Sequence, residues 1–181
     1  EGRDGGVAME VKAVGAVLLL LGCTAMGIGK SGKLYLRERR LRDLQELLQA
    51  LRTEILYRQT PLEQAMTGSA LCVEGGGKAF CQLFQSRSEL FCWEGFDRCW
   101  EECCDAFFSD GVSRYRDREV WLRLGRQLGH GGLSQQEAAL DHCDFQLQGL
   151  EQEAAEERKS RGRMYVTVGI CCGVFLNVLL L

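Results

Sequence analysis

The sequence predicts an all-α protein: a helical bundle of about six helices between an N-terminal and a C-terminal transmembrane helix. Three observations carry that reading. Only one proline, Pro61, occurs in 181 residues, and alternating runs that would mark strands are scarce. Charged and apolar residues recur at helical spacing through most of the middle of the chain. The remaining apolar residues concentrate in two blocks, 11–28 and 164–181. With 22 basic and 25 acidic residues the net charge is only −3, which gives no support to nucleic-acid binding.

Taken in order, the chain opens on EGRDGGVA, which has no folding pattern, whereas MEVKAVGAVLLLL from Met9 reads as a natural start. Residues 1–10 are therefore expected to be a disordered or non-native extension. The two apolar blocks, read as spans over residues 11–29 and 164–181, lie near the lower limit of roughly 17–25 residues for a membrane-crossing helix. Lys12 stands near the start of the first, where its long side chain can reach headgroups. After the first block come Lys30, Lys33, Arg37, Arg39, Arg40 and Arg42. Before the second come Arg158, Lys159, Arg161 and Arg163. Both basic flanks face the middle of the chain, so residues 30–163 are expected in the cytoplasm and both termini outside.

GIGKSGK, residues 27–33, ends like a nucleotide-binding P-loop. The pattern needs a glycine where Thr24 stands, and it needs a strand before it rather than a long apolar run. The stretch is read as the exit of a membrane helix followed by lysines at anionic headgroups. A rival reading takes Leu20, Leu21, Gly22 and Cys23 as the end of a lipoprotein signal peptide. The chain would then be an exported lipoprotein or helical protein-binding module lipidated at Cys23. Leu21 stands where a small residue is usual, and export would oppose the basic flanks.

There are ten cysteines, and none forms a C-x-x-C pair. Cys23, Cys171 and Cys172 fall in the apolar blocks and the others fall on apparent helix faces, where a reduced thiol is a small apolar group. Neither metal nor cofactor is expected, because His142 beside Cys143 has no second ligand pair.

Leu41, Leu44, Leu48, Leu51 and Ile55 form one helical stripe. That helix starts near Leu34 or continues from the span, and stops near Gln59. Thr60, Pro61 and Glu63 have the spacing of a capping box for a short second helix to about Leu71. Gly75, Gly76 and Gly77 read as a loop. Further helices are expected over residues 78–91, 96–108 and 114–128, with Trp100, Cys103, Phe107, Phe108, Val120, Trp121, Leu124 and Leu128 buried. His130 lies in a glycine-rich turn with no nucleophile or carboxylate placed beside it by sequence, so a loop or capping role is preferred to catalysis. Ser134 and Glu137 read as a second capping box, opening a long helix with Leu140, Cys143, Leu147 and Leu150 on its apolar side. Residues 151–163 continue it as a polar stalk.

Four stretches stand out together: LRTEILYRQTPLEQA at 51–65, VGAVLLLLGCTAMG near the start, LGRQLG at 124–129 with Gln135 and Gln136 after it, and the terminal YVTVGICCGVFLNVLLL. In these the chain resembles the stage III sporulation protein AB family of endospore-forming bacteria. It implies a non-enzymatic, membrane-anchored platform subunit of the secretion-like channel complex between mother cell and forespore. Its soluble part would be similar to the cytoplasmic helical domains of the type II secretion and type IV pilus platform proteins. Implied partners are the other stage III sporulation proteins, above all the AA ATPase, and the lipid bilayer, with no nucleic acid and no small-molecule substrate. Glu54, Tyr57, Thr60, Pro61 and Leu62 are the candidate residues, either touching a partner or shaping the turn. For Glu54 the alternative is an internal pair with Arg58 one turn on.

Overall fold

The structure is a computed structural model that describes the backbone of residues 3–87, 95–130 and 132–180. Most side chains before residue 29 and after residue 161 lie outside the description. The described residues are all-α. Helix α1, Arg3–Arg52, runs into a π-helical turn, Thr53–Tyr57. Then come α2 (Leu62–Ser69), α3 (Gly75–Ser86), α4 (Phe96–Phe107), α5 (Tyr115–His130) and α6 (Leu133–Leu180).

The helical backbone begins at Arg3, within the stretch expected to be disordered. It passes without a break through residues 27–33, so their backbone N–H groups serve the helix and form no phosphate-binding loop. Among the described residues no helix is long and apolar enough to cross a membrane. The side chains of most of residues 11–28 and 164–181, on which the two expected spans fall, lie outside the described ones, and so does that of Cys23.

The chain divides into two compact units. One comprises Glu1–Tyr35 and Ala155–Leu181, and in it the Arg158 guanidinium lies 5.8 Å from the centre of the Tyr35 ring. The other, Leu36–Ala154, holds the bundle. Its core begins with the α1 stripe: Leu41, Leu44, Leu47, Leu48, Leu51 and Ile55 are all buried. Against these pack Phe80 and Phe84 of α3, Trp100 of α4, Trp121 and Leu124 of α5, and Leu140, Cys143, Leu147 and Leu150 of α6. Trp100 and Trp121 stack at 5.5 Å, with Phe80 edge-on to both. The Trp100 indole N–H donates to the Trp121 carbonyl at 2.9 Å. Gly125 makes this packing possible, because a Cβ there would lie 2.2 Å from the Trp100 ring.

Four expectations change. Gly75, Gly76 and Gly77 open α3 instead of forming a loop, and that helix ends at Ser86; residues 88–94 lie outside the description. Thr60 does not cap α2. Its hydroxyl turns back to Glu54, and Pro61 occupies the capping position with φ −55° and ψ 147°. Ser134 lies inside α6, and the Gln135 side-chain oxygen accepts from the Gly132 N–H instead. Finally, Arg37 is buried and is not part of an exposed basic flank. Its Nε and Nη2 each donate at 2.8 Å to Asp117, which also accepts from the Arg114 N–H at the start of α5.

Candidate functional site

The segment after α1 is built around one inward-facing carboxylate. Its backbone widens into π-type bonding, with the Arg58 N–H donating to the Thr53 carbonyl at 3.2 Å. The wider turn carries Glu54 inward to 6% exposure. Its Oε1 accepts from Arg58 Nη1 at 2.7 Å. The Thr60 N–H and hydroxyl both donate to the Glu54 carbonyl, at 3.1 and 3.0 Å, and the hydroxyl also lies 3.3 Å from Oε2. Gln59 adopts the left-handed region at φ 52°, which reverses the chain and brings Thr60 back over Glu54. Pro61 then holds an extended conformation, and the first α2 bond runs from the Ala65 N–H to the Pro61 carbonyl at 2.8 Å.

The third wall is Gly68 of α2. A Cβ there would stand 3.2 Å from the Glu54 carboxyl carbon, tighter than ordinary contact, so glycine leaves the carboxylate room that a side chain would press on. Sequence reading missed Gly68, since nothing local marks it. The five candidate residues thus come together on one turn, with different roles. Glu54 and Thr60 face each other inside it. Tyr57 points outward at 80% exposure, Pro61 is exposed and Leu62 is partly buried.

Beside the turn lies a shallow groove of about 440 Å³. Ile55, Gln59, Thr60, Pro61 and Leu62 line it on the turn side, and Leu133 and Gln136 on the side of α6. Leu133 is half exposed, and the Gln136 side-chain amide donates to the Leu128 carbonyl at 3.0 Å. The lining has no titratable group, and its one hydroxyl is held by Glu54. Such a surface suits recognition of another polypeptide by apolar contact and amide hydrogen bonds. Leu133 and Gln136 were not among the candidate residues, although Gln136 belongs to the pattern quoted for the resemblance.

His130 ends α5 and pairs through Nε2 with Asp97 of α4. Cys72 is exposed, while Cys81, Cys99, Cys103, Cys104 and Cys143 are buried. Burial pushes the Cys81 and Cys143 thiols up to about 12 and raises Cys104 as well. Cys99 and Cys103 share a hydrogen bond that lowers the first thiol and raises the second, and the Cys99 thiol donates to the Arg87 carbonyl at 3.5 Å. Among the described residues no group of three or more His, Cys, Asp or Glu side chains is placed to hold a metal ion.

Known proteins agree with this architecture. The profile of the stage III sporulation protein AB family matches residues 12–181. Stage III sporulation protein AB of Bacillus subtilis (strain 168) is 28% identical over 179 residues, covering 94% of this chain and 99% of that protein. A solved structure of a stage III sporulation protein AB has the same fold, with a TM-score of 0.59 and 22% identity over 67% of this chain and 95% of its own. Matched over nearly its whole length, the chain belongs to the stage III sporulation protein AB family.

Proposed function

We propose that this chain is a non-enzymatic, membrane-anchored scaffold subunit of the stage III sporulation complex between mother cell and forespore, and that the turn at residues 53–62 faces the cytoplasmic AA ATPase of that complex. The observation that carries the contact is a rigid turn with an outward aromatic. Glu54, Arg58, Thr60 and Gly68 hold the backbone, Tyr57 stands out at 80% exposure, and a groove lined without charged residues opens on the same turn. An aromatic side chain on a fixed backbone loses little freedom on binding, which is what a recurrent protein contact favours. The membrane attachment is supported by the apolar blocks at 11–28 and 164–181, and the remaining basic residues flanking them favour both termini outside and the middle inside. The mother cell and the outer forespore membrane are what the family resemblance implies.

The test is capture of the tagged full chain from cross-linked sporulating cells. Recovery of the P-loop ATPase, reduced at least tenfold by Tyr57→Ala without a change in melting temperature, supports the reading. No ATPase with the wild-type chain, or equal recovery with the variant, overturns the proposed contact. Topology is read separately: alkaline phosphatase fused after Leu181 is expected to be active, and the same enzyme fused within the bundle inactive.

A further inference from the structure

A second surface, on the middle of α6, is self-complementary. Phe145 is 76% exposed, which is unusual for a phenylalanine on an otherwise polar helix face. Gly149 follows four residues later on that face, and a Cβ built there would meet nothing within 4 Å. Between α5 and α6 these residues border a groove of about 480 Å³, with Val120 and Leu150 among its apolar walls. The same patch therefore carries an aromatic projection and, one turn away, a recess with no side chain in it.

We propose that this face pairs two copies of the chain about a two-fold axis, the Phe145 ring of each entering the recess at Gly149 and Val120 of the other. A two-fold contact requires one patch to supply both complementary parts, and this one does. Its polar parts also suit a second copy better than a charged partner. Its charged lining residues are one cation and one anion, Arg116 and Glu153, 3.6 Å apart, with Glu153 also holding Arg114 at 2.9 Å, so the lining itself brings no excess of one charge against its own image. The remaining polar lining residues are glutamines, whose amides both donate and accept and so match their own kind. A single helix face is smaller than the roughly 1,600 Å² of a standard interface, so the pairing is reversible, a monomer–dimer equilibrium rather than a permanent dimer. The proposal does not rest on the contact with the ATPase.

Gly149 makes the test clean. With open space around it, Gly149→Leu fits the isolated chain and raises helix propensity, yet it fills the recess. Sedimentation equilibrium of the full chain in detergent, across the micromolar range, is expected to show a monomer–dimer equilibrium. Gly149→Leu is expected to weaken dimerisation at least tenfold while the melting temperature holds or rises. Phe145→Gln, which removes the projection, is expected to do the same and decides the matter if Gly149→Leu folds poorly. A monomeric wild type throughout the range overturns the proposal. So does an association that survives unchanged in the folded variants.

Discussion

Glu54 and Gly68 form a coupled pair, and their coupling can be measured. The carboxylate is buried, yet its cationic partner Arg58 is about two-thirds exposed, so the charge pair itself contributes little. More is held in the hydrogen bonds to Thr60 and in the close fit against Gly68. Glu54→Ala is expected to cost about 1–2 kcal/mol, since the Thr60 hydroxyl keeps the backbone carbonyl as an acceptor. Gly68→Ala has two opposed effects. Alanine favours the helix by about 1 kcal/mol over glycine. The new methyl presses on a carboxylate that Arg58 and Thr60 hold in place. In the wild type the expected sum is near zero or destabilising, whereas in Glu54→Ala the same substitution stabilises. Urea unfolding of the four chains measures this sign change, and additive effects would refute the coupling.

At the scale of the element, α3 shows how one helix can depend on another. Its first turn is three consecutive glycines, which alone would resist helix formation. Asp43 of α1 supplies what the segment lacks, its Oδ2 accepting from the Gly76 N–H at 2.6 Å as a helix-capping carboxylate does. Asp43 can come so close because these residues are glycines. Gly75 has φ +58°, and a Cβ on Gly77 would lie 2.8 Å from the Asp43 backbone oxygen. Asp43→Ala is expected to destabilise by about 1–2 kcal/mol, and Asp43→Asn by less than half as much because its amide oxygen still accepts. Gly77→Ala should cost about 2 kcal/mol or more, since backbone cannot yield as a side chain can. Denaturation midpoints rank the three. This is also why the sequence misled at this point. Leucine spacing made α1 readable, and Trp100, Cys103, Trp121 and Leu124 marked the cores of α4 and α5. The start of α3, the cap of α2 and the burial of Glu54 depend on side chains from elsewhere in the chain. Thr60 had a capping spacing, but an acceptor six residues upstream took its hydroxyl.

For the bundle as a whole, the interactions that matter are the least visible in sequence. Arg37 and Asp117, 80 residues apart, join α1 to the start of α5 through a pair with 3% and 0% exposure. Read locally, Arg37 is one more cation in a basic flank. Arg37→Met leaves a buried carboxylate uncompensated and is expected to cost about 3–5 kcal/mol, with Arg37→Met/Asp117→Leu costing less than the sum of its singles. Buried thiols add a dependence on pH. In Cys81 and Cys143 burial is the first cause raising the thiol from about 9 to about 12, with the Asp144 charge adding to it for Cys143. The unfolded chain ionises these groups near pH 9, while the folded chain keeps them neutral until about pH 12. Their contribution is therefore complete below pH 9 and is lost as pH rises towards 12, by at most about 1.4 kcal/mol per group per pH unit. Denaturant midpoints should hold near neutrality and fall across that window. Cys81→Ala/Cys143→Ala should begin lower at neutral pH and fall less steeply, because two of the groups driving the decline are gone. An equal slope in the double variant would place the alkaline loss elsewhere, in groups that the burial of these two thiols does not control.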